Sequence, residues 1–89
     1  MSLFRRALEA TEKRFEIIVN TRTKEWNGAK INYQEVVDLA YPPPHSPGEI
    51  FTVSYSKGPP QNPSGDLVKG QTVFVDNGMV FIVDRTTQS

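Results

Sequence analysis

Cysteine is absent from this chain. That removes disulfides, thiolate nucleophiles and cysteine-based metal sites together. It is compatible with a reducing cytosol without requiring one. Charge of one sign is also missing, because ten Lys and Arg face ten Asp and Glu. No basic footprint remains for nucleic acid or for an anionic membrane surface. Long apolar runs are lacking as well. The opening MSLFRRALEATEKR has arginines followed only by isolated apolar residues, unlike a signal peptide, and no segment approaches the roughly 20 apolar residues of a spanning helix. The expectation is a soluble, cytoplasmic protein with neither nucleic acid nor membrane as a partner.

What is present suits one small folded domain. Eighty-nine residues, 37% of them hydrophobic and 10% aromatic, give a globular chain with a modest core. Residues 1–13 read as a short helix with Leu3, Phe4, Ala7 and Leu8 on one face and charges on the rest. A helix this short is marginal alone and must dock on something, either its own domain or a partner. FEIIVN (15–20) has strand composition, and TKEW after Asn20-Thr21-Arg22 makes a hairpin with it. In INYQEVVDLAY, Asn32 is a good N-cap and Glu35 completes a capping box. Val36, Leu39 and Ala40, flanked by Tyr33 and Val37, form the buried stripe, and Pro42–Pro44 stop the helix.

IFTVSYS alternates, with Phe51, Val53 and Tyr55 on one face and Thr52, Ser54 and Ser56 on the other. KGPPQNPSGD is a surface loop, too rich in proline and glycine for regular structure. TVFV (72–75) and MVFIV (79–83) are further strands joined by Asp76-Asn77-Gly78, a tight-turn sequence. A hairpin, a helix and return strands close most simply as an α+β fold: a β-grasp, a mixed sheet around one helix, here with an extra N-terminal helix. The last strand enters beside the first and parallel to it. A small open barrel is the competing arrangement. The domain runs over 14–85, with a flexible tail at 86–89.

The last strand is apolar on both faces. Met79, Phe81 and Val83 alternate with Val80 and Ile82, and Ile18 lies opposite Ile17 and Val19. One set belongs to the core. The other, with Ile18, Val80 and Ile82 as the candidate, is a partner-binding face unless the N-terminal helix covers it.

Catalytic and metal signals are weak. His45 stands in PPPHSPGE, and a lone loop histidine without partners is far more often exposed than catalytic. Asp66, Asp76 and Asp84 have no spacing of a carboxylate pair or calcium loop. The Gly-rich loop has neither the lysine–hydroxyl ending nor the strand-to-helix setting of a phosphate loop. Trp26 reads as the edge of the core. No enzyme, metal or bound cofactor is expected.

FEIIVNTRTKEW, INYQEVVDLAYP, IFTVSY and LVKGQTVFVDNGMVFIV, with the pattern G-x-x-V-x-V-x-x-G-M-V-F-x-V from Gly70 to Val83, resemble the bacterial multiubiquitin family of ubiquitin-like proteins. The resemblance starts at Phe15 and implies a β-grasp. It also implies a setting beside an activating enzyme, a conjugating enzyme and often a metallopeptidase that removes the modifier. The protein would then be a modifier attached through its C-terminal carboxylate. ATP would be consumed by the activating enzyme and not bound by this chain. Ubiquitin and most relatives end in Gly-Gly, whose missing side chains pass narrow channels; this chain ends Asp84, Arg85, Thr86, Thr87, Gln88, Ser89. Ser89 is thus the expected conjugated residue, and Arg85, Thr86, Thr87 and Gln88 guide the tail. A non-covalent interaction module of the same pathway is the alternative.

Overall fold

The computed structural model describes residues 14–87. Its elements are β1 (Arg14–Val19), β2 (Arg22–Asn27), β3 (Lys30–Asn32), α1 (Tyr33–Ala40), β4 (Glu49–Ser56), β5 (Gly65–Leu67), β6 (Thr72–Phe74) and β7 (Val80–Thr87). The helix expected in residues 1–13, with Leu3, Phe4, Ala7 and Leu8, lies outside the described residues, as do Gln88 and Ser89.

β1 and β2 form the expected hairpin. Its two loop residues, Asn20 and Thr21, have φ of 50° and 70°, the left-handed pair that matches the twist of the flanking strands. Asparagine tolerates this region; threonine, branched at Cβ, does so at a cost. Asn20 has a second role. Its side chain accepts from the Val83 N–H (2.8 Å) and donates to the Val83 carbonyl (3.0 Å). It therefore continues the parallel pairing of β1 with β7 beyond the end of β1.

α1 starts at the capping box read from the sequence. The Asn32 side chain accepts from the Glu35 N–H at 2.8 Å, and the Glu35 carboxylate accepts from the Asn32 N–H at 2.9 Å. Tyr33, Val36 and Val37 are buried, whereas Leu39 and Ala40 are only partly so. The last turn closes with the Tyr41 N–H donating to the Val37 carbonyl at 2.8 Å. Pro42–Pro44 follow and cannot extend the ladder.

The main sheet is open and mixed, in the order β2-β1-β7-β4-β5. β1 and β7 are parallel; the other neighbours are antiparallel. α1 lies against β1, β4 and β7. Between helix and sheet sit Ile17, Val19, Val36, Val37, Val53, Leu67, Phe81 and Val83, all essentially closed to water. This is an α+β fold, a mixed sheet with one short helix on one face, and its order is compatible with a β-grasp.

Several expectations need correcting. β3 and β5 appear where the sequence shows no strand, β5 starting within the Gly- and Pro-rich segment. Both have three residues, and pairing with β6 and β4 rather than composition selects them. β6 does not pair with β7. The Asp76-Asn77-Gly78 corner instead docks on β1, where the Gly78 N–H donates to the Glu16 carbonyl at 2.7 Å and the Glu16 N–H to Asn77 Oδ1 at 3.0 Å. Finally, β7 runs to Thr87. Thr86 and Thr87, expected in a flexible tail, pair with Ile50 and Glu49. β4 is eight residues long and offers backbone partners that far.

Candidate interaction surfaces

The buried set on β1 and β7 is Ile17, Val19, Phe81 and Val83, continued by Met79 just before β7. Alternation then turns Ile18, Val80 and Ile82 to the opposite face of the sheet, the one without α1. Register brings them together. Ile18 is the direct partner of Val80 across the parallel ladder, and Ile82 follows two residues along β7. Ile82 is 42% exposed, while Ile18 and Val80 are half-buried by their neighbours. Thr23, Ser54 and Ser56 stand beside them in register. The result is a small aliphatic patch bordered by hydroxyls at the centre of the sheet.

The end of β7 is organised differently. Arg85 pairs with Phe51 and follows the parity of Phe81 and Val83, so it lies on the helix side. Its Nη1 is 3.3 Å from Glu49 Oε2, and its guanidinium sits 4.8 Å above the Tyr41 ring. Glu49 is itself held. Its Oε1 accepts from the Ser46 N–H at 2.7 Å, and its own N–H donates to the Ser46 carbonyl at 3.1 Å. Arg85, expected to guide the tail, already has an acid and an aromatic ring as partners within the domain. Thr86, one residue on, faces the other side and is exposed. Arg85 and Thr86 thus lie on opposite faces.

His45 belongs to the same neighbourhood. Expected at the surface without partners, it is 20% exposed and packs on Phe51 with ring centroids 4.9 Å apart. Its Nε2 lies 2.6 Å from the Tyr41 carbonyl and 3.6 Å from Asp38 Oδ1. Tyr41 also packs on Phe51, at 5.6 Å. The proline run folds His45 back onto the end of α1, a contact invisible in the local sequence. Trp26 is at the core edge as expected, its indole N–H donating to the Lys30 carbonyl at 2.8 Å.

A cleft of about 630 Å³ opens between the start of α1, β4 and the chain after β5, walled by Tyr33, Phe51, Val53, Leu67 and Val68 with Lys69 at its rim. The sequence signal for it was slight: an apolar Leu67-Val68 after a proline loop. The Tyr33 hydroxyl donates to the Phe51 carbonyl at 2.8 Å in its wall. Burial raises the pKa of Tyr33 above its ordinary value. Among the described residues, no three or more His, Asp and Glu gather in a metal-binding group. No helix among them is long and apolar enough to cross a membrane.

Among the described residues the chain is a small α+β domain, a mixed sheet with one short helix on one side, an arrangement compatible with a β-grasp. A model of the multiubiquitin family matches residues 15–87. The chain belongs to that family. Comparisons with curated proteins and with solved structures return no match.

Proposed function

We propose that this protein is a bacterial ubiquitin-like modifier with a β-grasp fold, acting in the cytoplasm. The observation that carries the reading is the multiubiquitin match over 15–87. Its support in the fold is a central last strand that carries the polar residues Asp84 to Thr87 beyond Val83.

The chemistry asked of the chain is small. A carboxylate is a poor acyl donor at neutral pH. An activating enzyme joins the terminal carboxylate of Ser89 to AMP and releases pyrophosphate from ATP. A thiol or hydroxyl of the conjugating pathway then takes the acyl group and releases AMP, and a nucleophile on the target takes it in turn. The enzymes supply every acid, base and nucleophile and bind the ATP. The domain supplies recognition and a threadable end. In this reading Ile18, Val80 and Ile82 meet the activating and conjugating enzymes, and Arg85, Thr86, Thr87 and Gln88 guide Ser89 to the reacting centre. A metallopeptidase cleaves the product. Leu3, Phe4, Ala7 and Leu8 supply a further contact.

A second reading is favoured by the engagement of Arg85 with Glu49 and by the pairing of Thr86 and Thr87 with β4. In it the domain is a non-covalent module of the same pathway and its end is inert. Removing Gln88 and Ser89 separates the two. A modifier loses ATP-dependent adducts when mixed with its activating and conjugating enzymes. A module keeps its affinity for its partner and forms no adduct in either form.

A further inference from the structure

The outermost part of β7 is held by less than the rest of the strand. Among residues 80–86 of the strand, Val83 is the last that is buried. On the β1 side, parallel pairing covers Ile18 with Val80 and Val19 with Phe81, and Asn20 reaches only to Val83. On the far side of β4, β5 pairs with Val53 to Tyr55 and no further. The pairs Thr52–Asp84, Phe51–Arg85, Ile50–Thr86 and Glu49–Thr87 therefore form a two-stranded finger beyond the five-stranded sheet. Two strands alone are marginally stable in water. Something else must hold this finger closed.

We infer that Glu49 and Tyr41 form a clasp on Arg85 that keeps residues 84–87 in the sheet, and that this clasp must open before the end of the chain is handed to another protein. Three features set it apart from an ordinary surface ion pair. The Glu49 side chain is only 13% exposed against 48% for Arg85, and the Ser46 N–H fixes it in place. A pre-placed acid loses little side-chain freedom on pairing, which is the usual drain on exposed pairs. The guanidinium also covers the Tyr41 ring, adding a cation–π contact to the same group. Tyr41 is packed from beneath by Phe51, the residue paired with Arg85. The ion pair and the cation–π contact thus converge on one side chain in the middle of the finger.

The purpose assigned to the clasp rests on the modifier reading, but its existence does not. An activating enzyme that threads the end of the chain must peel residues 84–87 from β4. Glu49 then competes with any acid on the enzyme for Arg85. Glu49 and Tyr41 act as positioning residues: they set the fraction of molecules whose end is free, without touching the reacting carboxylate.

The test is amide hydrogen exchange, resolved by residue, on the full chain and on the Glu49→Gln and Tyr41→Leu variants. Glu49→Gln keeps the shape and removes the charge. Each variant should speed exchange of the amides of 84–87 by about three- to tenfold and leave 80–83 within about twofold of the parent, as expected for local rather than global opening. Unchanged rates at 84–87 in both variants overturn the clasp. So does an equal acceleration along the whole of β7, which would make these residues general stabilisers. With the activating enzyme and ATP, the variants should show a lower KM for adenylation at unchanged kcat. A chain that is never adenylated refutes the modifier reading, while the exchange rates still decide the clasp.

Discussion

Replacing Asn20 tests how the first strand is tied to the last. Its side chain makes two hydrogen bonds to the backbone of Val83, at 2.8 and 3.0 Å, in a partly buried position. Its backbone sits at φ 50°. Two substitutions separate these contributions. Asn20→Gly removes both hydrogen bonds and keeps an easy left-handed turn. At roughly 1 kcal/mol per bond, the loss should be about 2 kcal/mol. Asn20→Ala removes the same bonds and adds a left-handed alanine, at a further ~1 kcal/mol. The Val83 N–H and carbonyl left behind recover part of their bonding from water, so both figures are upper values. Urea unfolding of the full chain reads the two differences directly, provided the slopes match the parent. For a domain of this size the glycine variant should melt about 8–16 °C lower. A glycine variant within about 0.5 kcal/mol of the parent would refute the idea that Asn20 couples β1 to β7.

The turn offers the opposite experiment, because Thr21 also sits at positive φ, 70°. Thr21→Gly should stabilise the protein by about 0.5–1 kcal/mol in urea, relief of strain exceeding the extra freedom of the unfolded chain. Ile82→Arg, at an exposed position on the outer sheet face, should change stability by less than about 0.5 kcal/mol. By titration calorimetry it should weaken binding to the activating enzyme at least about tenfold, as expected at the centre of an interface; undiminished binding would take the patch out of the account. Tyr33 is held neutral by burial, so its pKa lies above the ordinary 10.0. The folded form then keeps its proton where the unfolded form loses it. Stability should be insensitive to Tyr33 below about pH 10 and fall as pH rises through and beyond that value. Tyr33→Phe should flatten that alkaline fall while costing about 1 kcal/mol at neutral pH for the lost bond to Phe51.

Local chemistry was readable from the residues. Asn32 and Glu35 announce a capping box because each satisfies the other's backbone within one turn, and the structure has both bonds. Alternation in IFTVSYS gave the two faces of β4, and the parallel entry of β7 beside β1 followed from connection rules. What stayed hidden depends on partners distant in the chain. GDL becomes a strand because β4 is there to pair with it. Thr86 and Thr87 read as tail because neither is apolar, yet their backbone finds β4, and Arg85 just before them finds Glu49. His45 reads as isolated because its contacts, Phe51, Asp38 and the Tyr41 carbonyl, meet it only after the prolines turn the chain back. The outer patch was half legible: alternation named Ile18, Val80 and Ile82, and only the position of α1 chose the side.

The central claim, a modifier joined through its end, is tested most directly by intact mass and denaturing gels on the N-terminally tagged chain in its native host, with and without Ser89. A modifier gives heavier species that survive denaturation, disappear when Ser89 is removed, and yield a fragment in which the Ser89 carbonyl is bonded to a target side chain. A single unmodified mass, with the activating enzyme and ATP present, would contradict it.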